Sequence, residues 1–165
     1  MYVPTENQLG IQPIGFNSTT QNHPLGSIVR AYDSTLGAGE FIYLLGVVGT
    51  IVGLMVNYNA TTYQTALSPN TANNVGPMAV AMSANVAAQY GWYQIDGLAV
   101  LKKTNTKFLA GGKVYQSATA GRVMATSASG LEVLGARAAN LATVTTTTST
   151  ITVLINRPSL QGQIT

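Results

Sequence analysis

Few side chains in this sequence have the means to do covalent or acid–base chemistry. The 165 residues include one histidine, five carboxylates and no cysteine. Nucleophilic catalysis needs a base held to hydrogen-bond geometry. His23 stands beside Pro24 in a stretch with no strand or helix periodicity, and reads as a plain polar residue. Asp33 and Glu40 flank one predicted loop, where they could approach each other as a glycosidase pair must. Charges at strand ends are the simpler account. Asp96 before Gly97 reads as turn chemistry. Gly111-Gly112-Lys113 lacks the first glycine of a phosphate loop, the hydroxyl residue after the lysine, and a following helix. Without cysteine there is no disulfide, thiolate or zinc knuckle, and no metal or cofactor is expected.

Two clusters suit binding better than catalysis. Lys102, Lys103, Lys107 and Lys113 lie near one another, with Phe108 and Tyr115 close by. A nucleic-acid strand is one conceivable use. A solvated hairpin end, where lysines blunt an exposed strand edge, is the simpler reading. In the second cluster, strand geometry puts Tyr90 and Trp92 on one face and Tyr93 on the other. That suits a strand between a core and a partner, plain core packing, or a sugar-binding platform. Asn17-Ser-Thr and Asn59-Ala-Thr match the glycosylation pattern, but no basic region followed by an apolar run opens the chain, so they read as chance matches.

The elements that must position these residues are strands. Charged residues make up 8% of the chain, against about a quarter in an ordinary soluble domain. The net charge is +3, and 46% of the residues are hydrophobic. Val, Ile, Thr and Tyr are plentiful, which favours a pleated surface. Strands are predicted at Ser27–Asp33, Glu40–Leu45, Thr50–Asn57, Tyr63–Leu67 and Pro77–Ser83. Further strands follow at Lys113–Ser117, Arg122–Thr126, Leu131–Ala138, Thr143–Thr148 and Thr150–Asn156, with Pro158 ending the last. Tyr90–Asp96 and Leu98–Lys103 form either one strand bent at Gly97 or a tight hairpin with a bulge there. In Pro77–Ser83, Met78, Val80 and Met82 share one face and Ala79 and Ala81 the other. In Leu131–Ala138, Leu131, Val133 and Gly135 oppose Glu132, Leu134 and Ala136. Ala84–Gln89 allows a single helical turn. Phe41–Val56 carries no charge apart from its flanks, but is short for a membrane helix and suits two buried strands joined near Gly49. The architecture predicted is all-β, a compact sandwich or barrel spanning residues 26–158.

Residues 1–25 are predicted to be an extended arm. Pro4, Pro13 and Pro24 interrupt it, and the isolated apolar residues Tyr2, Val3, Leu9, Ile11, Ile14 and Phe16 need a surface to cover them. A frayed tail is the competing reading. Residues 159–165 form a short tail with Leu160 and Ile164. These eight residues, with Trp92 and Tyr93, are the candidate contacts to a partner or a sister subunit.

Three stretches carry a family likeness. Leu25–Val47 reads LGSIVRAYDSTLGAGEFIYLLGV, Gly76–Lys103 reads GPMAVAMSANVAAQYGWYQIDGLAVLKK, and Ile151–Pro158 reads ITVLINRP. Together they resemble the small β-rich cement, or decoration, proteins of tailed-phage heads. In that family an LG-x-IV-x-A-x-D opening, a GEFIYL-x-GV strand and YGWYQI-x-G-x-AV recur in this order. The resemblance spans residues 25–158. It implies a structural protein of the bacteriophage virion, made in the host cytoplasm and bound to the outer capsid surface. The implied partners are the major capsid protein and the chain itself as a dimer or trimer. No enzyme activity, small-molecule substrate or membrane is implied, and nucleic acid is not the expected partner. The alternative function is a carbohydrate- or receptor-binding β module of a phage fibre or tail, resting on Trp92 and the polar loops.

Overall fold

Branched and aromatic side chains at alternating positions carry the described residues through twelve strands. The structure, a computed structural model, describes residues 1–5, 10–84 and 87–163, and no helix occurs among them. The strands are β1 (Val3–Pro4), β2 (Asn17–Ser18), β3 (Ile28–Asp33), β4 (Gly37–Leu45), β5 (Met55–Tyr58) and β6 (Thr65–Leu67). They continue as β7 (Met78–Ala81), β8 (Tyr90–Lys102), β9 (Lys113–Gln116), β10 (Val123–Met124), β11 (Glu132–Ala138) and β12 (Thr150–Leu160). The all-β expectation holds. The strands join into one large, open antiparallel sheet in the order β1-β3-β4-β8-β12-β11-β9-β10. A side ribbon of β6, β5 and β7 attaches through β7 to β8, and β2 also pairs with β8.

The organising element is β8, one long strand bent at Gly97 rather than a hairpin. Its first half pairs with β4, from Leu45↔Tyr90 to Gly39↔Gly97, and its second half with β12, from Asn156↔Asp96 to Thr150↔Lys102. Gly97 has φ +96°, and a Cβ there would run into the carbonyl oxygen of Ala38. Only glycine lets β4 approach so closely in that conformation.

Three apolar clusters fill the interior. Tyr2, Ile14, Val29, Ala31, Phe41, Tyr43 and Trp92 form one. Ile42, Leu44, Tyr93 and Ile95 of β4 and β8 meet Val56, Ala79 and Ala81 in the second. The third joins Met55, Met78 and Val80 to Ala99, Leu101, Phe108, Val114, Val133, Ile151, Val153 and Ile155. The ribbon thus separates two cores, with the alanines of β7 facing one and Met78 and Val80 the other. Met82, beyond the end of β7, packs instead on the first cluster.

Several sequence expectations are corrected. Pro158 does not end β12. The register shifts between Leu134↔Ser159 and Ala136↔Ile155, so Arg157 and Pro158 fall in a bulge, where the missing N–H of proline breaks no ladder bond. Gly135 sits opposite it at φ +71°, and Val133 and Ala136 thereby reach the same core. The alternation expected through Gly135 fails at that point. Thr143–Thr148 is no strand; only Val144 bridges to Phe108. Its hydroxyls bond locally, Thr148 Oγ1 donating to Thr145 O at 3.2 Å, and so compete with ladder formation. Thr50–Leu54 turns rather than extends, with Thr50 Oγ1 donating to Val47 O at 2.8 Å. Phe41–Val56 holds the latter part of β4, this turn and the start of β5. Among the described residues no helix is long and apolar enough to cross a membrane. The helical turn expected over Ala84–Gln89 falls partly outside the described residues, as do Leu9 and Ile164 entirely.

Candidate interaction surfaces

The stretch expected to reach out as an arm lies on its own sheet. Val3 and Pro4 pair with Tyr32 and Ala31, and Asn17 and Ser18 pair with Gly91 and Tyr90. Tyr2 is buried edge-on against Phe41, ring centroids 4.8 Å apart, and its hydroxyl donates to Leu98 O at 2.9 Å. Ile14 is buried against the same cluster. The physical reason is that the sheet face bearing Phe41, Tyr43 and Trp92 needs a cover, and the chain's own first residues supply it.

Gln12 ties this cover down. Its carbonyl accepts from Trp92 Nε1 at 2.8 Å. Its Oε1 accepts from Tyr43 Oη at 2.8 Å and Asn22 Nδ2 at 2.9 Å. Its Nε2 donates to Phe16 O at 2.7 Å, and its backbone N–H to His23 Nε2 at 3.1 Å. His23 packs edge-on against Tyr43 at 5.1 Å. It is therefore an ordered part of this network, not a loose polar residue. Burial pushes the Tyr43 phenol up from its ordinary value.

The described candidate side chains divide between the interior and the surface. Tyr2, Ile14, Trp92, Tyr93 and Leu160 are buried inside the chain, and Ile11 is half-buried. Val3 and Phe16 remain exposed. Trp92, 1% exposed, is no open stacking platform for a sugar. Tyr93 is covered by β5 and β7 rather than by a partner.

Asp33 and Glu40 sit in separate ion pairs, in line with the simpler reading of them as strand charges and not as a facing pair. Asp33 accepts from the Met1 ammonium and from the backbone N–H of Thr35 (2.8 Å) and Leu36 (3.0 Å). The ammonium contact foremost, then the two backbone bonds, hold its carboxyl down at about 2. Glu40 stands in register with Asp96, not beside Asp33. Arg30 takes its Oε1 at 2.9 Å and Arg157 its Oε2 at 2.6 Å, so both oxygens of Glu40 are engaged. Glu132 likewise holds Lys113 at 2.7 Å and Arg137 at 3.2 Å.

The lysine cluster is also reorganised. Lys113 is drawn off by Glu132. Lys103, expected in solvent, is 1% exposed. Its Nζ donates to Thr106 O at 3.0 Å and Thr104 O at 3.4 Å, and burial pushes its ammonium down from the ordinary value. Arg122, absent from the expected cluster, joins it by donating from Nη1 to Lys103 O at 3.1 Å. The signal for Lys103 was in the sequence: period two places it on the inward side with Ala99 and Leu101.

The exposed apolar residues form the other surface feature. Leu98 and Leu154 are cross-strand partners on β8 and β12, with Val100 two residues along. Val100 and Leu154 are exposed, as are Val48, Ile51 and Val52 in the turn before β5. Comparison with protein-family models, with curated proteins and with solved structures finds no match.

Proposed function

We propose that this chain is a capsid cement protein that binds the outer surface of a phage head and bridges neighbouring major capsid subunits, itself paired with one or two sister copies. The observation that carries this reading is the surface: exposed apolar side chains on the outer side of β8 and β12, in a chain of which only 8% is charged. A free monomer gains solubility from charge, and contiguous apolar surface marks a contact. The strands resembling cement-protein text, GEFIYLLGV and YGWYQIDGLAV, are β4 and β8, the adjacent strands at the centre of the sheet. Bridging would stabilise a shell because separating two subunits would also require breaking contacts to the bridge. Several weak footholds on one lattice gain from high effective concentration.

Burial of Tyr2 and Ile14 moves the expected contact away from the arm. Among its described candidate residues Val3 and Phe16 stay open, and the sheet face with Leu154 and Val100 becomes the main candidate. Co-sedimentation of the purified chain with empty heads tests the proposal. Saturation at a fixed number of copies per head is the expected result. A chain that stays in the supernatant at all concentrations overturns it.

A further inference from the structure

Ion pairs divide the charge of this molecule unevenly. Among the described residues Asp33, Glu40 and Glu132 are each paired, consuming the Met1 ammonium, Arg30, Arg157, Lys113 and Arg137. Lys102, Lys103, Lys107 and Arg122 have no carboxylate partner among the described residues. All four come together at one end of the molecule. Lys102 ends β8 and Lys103 bridges to Val123, next to Arg122. The loop carrying Lys107 is fixed to the same place. Thr104 N donates to Val123 O at 3.0 Å, and Ala125 N donates to Thr106 Oγ1 at 3.0 Å. Lys103 pins that loop from beneath through its two carbonyl contacts. Thr104, Asn105, Thr119 and Arg122 line an open cleft of about 530 Å³ here. Asp96, the one described carboxylate without an ion pair, lines a separate cleft with Thr5, Arg30 and Tyr32.

The same end has an apolar side. Lys102 N donates to Gly53 O at 2.7 Å, which brings the exposed Ile51 and Val52 up to β8 beside Val100. Cations without counter-charges therefore border branched apolar side chains. A nucleic-acid backbone would answer the charge and leave Ile51 and Val52 in water. A wholly apolar partner would strand the cations. A polypeptide with carboxylates among large apolar side chains answers both.

We infer that this end of the molecule docks an acidic, apolar-studded segment of a protein partner. Docking itself is independent of the capsid reading, which supplies only the identity of that partner.

The test uses the full chain and a fluorescein-labelled peptide of alternating Glu and Leu, followed by fluorescence anisotropy. Binding should weaken steeply with added salt. The double variant Lys102→Glu/Lys107→Glu should lose about tenfold or more in affinity. It spares Arg122, whose guanidinium holds the Lys103 carbonyl, and an unchanged thermal midpoint would show that the fold survives. Ile51→Ser/Val52→Ser should weaken binding without altering the salt slope. The inference is overturned if the peptide does not bind, if the charge-reversed variant binds as well as the parent, or if oligothymidine of equal charge binds as tightly. Heads provide the separate arm. Full occupancy by the charge-reversed variant removes the capsid as the partner docked at this end, whereas peptide binding by a parent chain that ignores heads overturns the capsid reading alone.

Discussion

Two polar hubs lie buried at opposite ends of β8, and they are completed differently. Gln12 sits over the first half of that strand with its carbonyl, amide and backbone N–H all matched by groups of the same chain. Lys103 sits just past the other end, its charge shared between two backbone carbonyls with no carboxylate paired to it among the described residues. A neutral amide can be satisfied locally at little cost, whereas a buried charge without a counter-ion keeps a desolvation penalty. The first end is internally complete. At the second, Lys102, Lys103, Lys107 and Arg122 stand without an ion pair among the described residues.

The contrast can be tested most severely through Trp92. Trp92→Ala should cost about 3–5 kcal/mol, because it empties a packed site between Tyr43 and the covering segment. Urea titration would measure it. A loss under 1 kcal/mol, small against that expectation, would mean that residues 10–25 do not seal this face. Gln12→Ala is next, at about 1–3 kcal/mol, since it leaves the Tyr43 O–H without its acceptor and the Phe16 carbonyl without the Gln12 amide donor. A null effect would remove Gln12 as the fastener.

Lys103→Met sharpens the other side. Burial lowers the folded-state pKa of Lys103 below its ordinary 10.5. Between those two values the unfolded chain binds a proton that the folded chain does not, so stability rises with pH in that window. Lys103→Met should abolish that rise in thermal midpoint while leaving the fold intact. An identical pH profile in both proteins would contradict a desolvated ammonium. The smallest effect is expected at Asp33. Its folded value of about 2 lies below the ordinary 3.8, so its contribution is present above about 4 and disappears as pH falls towards 2. Asp33→Asn should flatten that part of the acid-denaturation curve. A curve that remains as steep would place the acid sensitivity elsewhere.

Much of the fold could be read from alternation alone. Ile28–Asp33, Lys113–Gln116 and the long strand through Trp92 and Leu101 appear close to where period two puts them, and Gly97 is the bend. The all-β class follows from these elements. What alternation could not supply was the partner for isolated apolar residues. Tyr2 and Ile14 announce that a surface must cover them, but nothing in their spacing says that the face of Trp92 in the same chain provides it. The charge pattern was hidden for a similar reason. Neighbouring lysines in sequence point to opposite sides of a strand, so Lys102 faces outward and Lys103 inward, while Arg122 arrives from the turn that leads into β10. Pro158 misled because a bulge excuses its missing donor, and a bulge in β12 depends on Gly135 of β11.

A last consequence follows from the bend at Gly97. One thirteen-residue strand is hydrogen-bonded to β4 in its first part and to β12 in its second. Neither portion can melt without tearing backbone out of the other, so heating should produce a single calorimetric peak. A load applied to either portion would be shared by both.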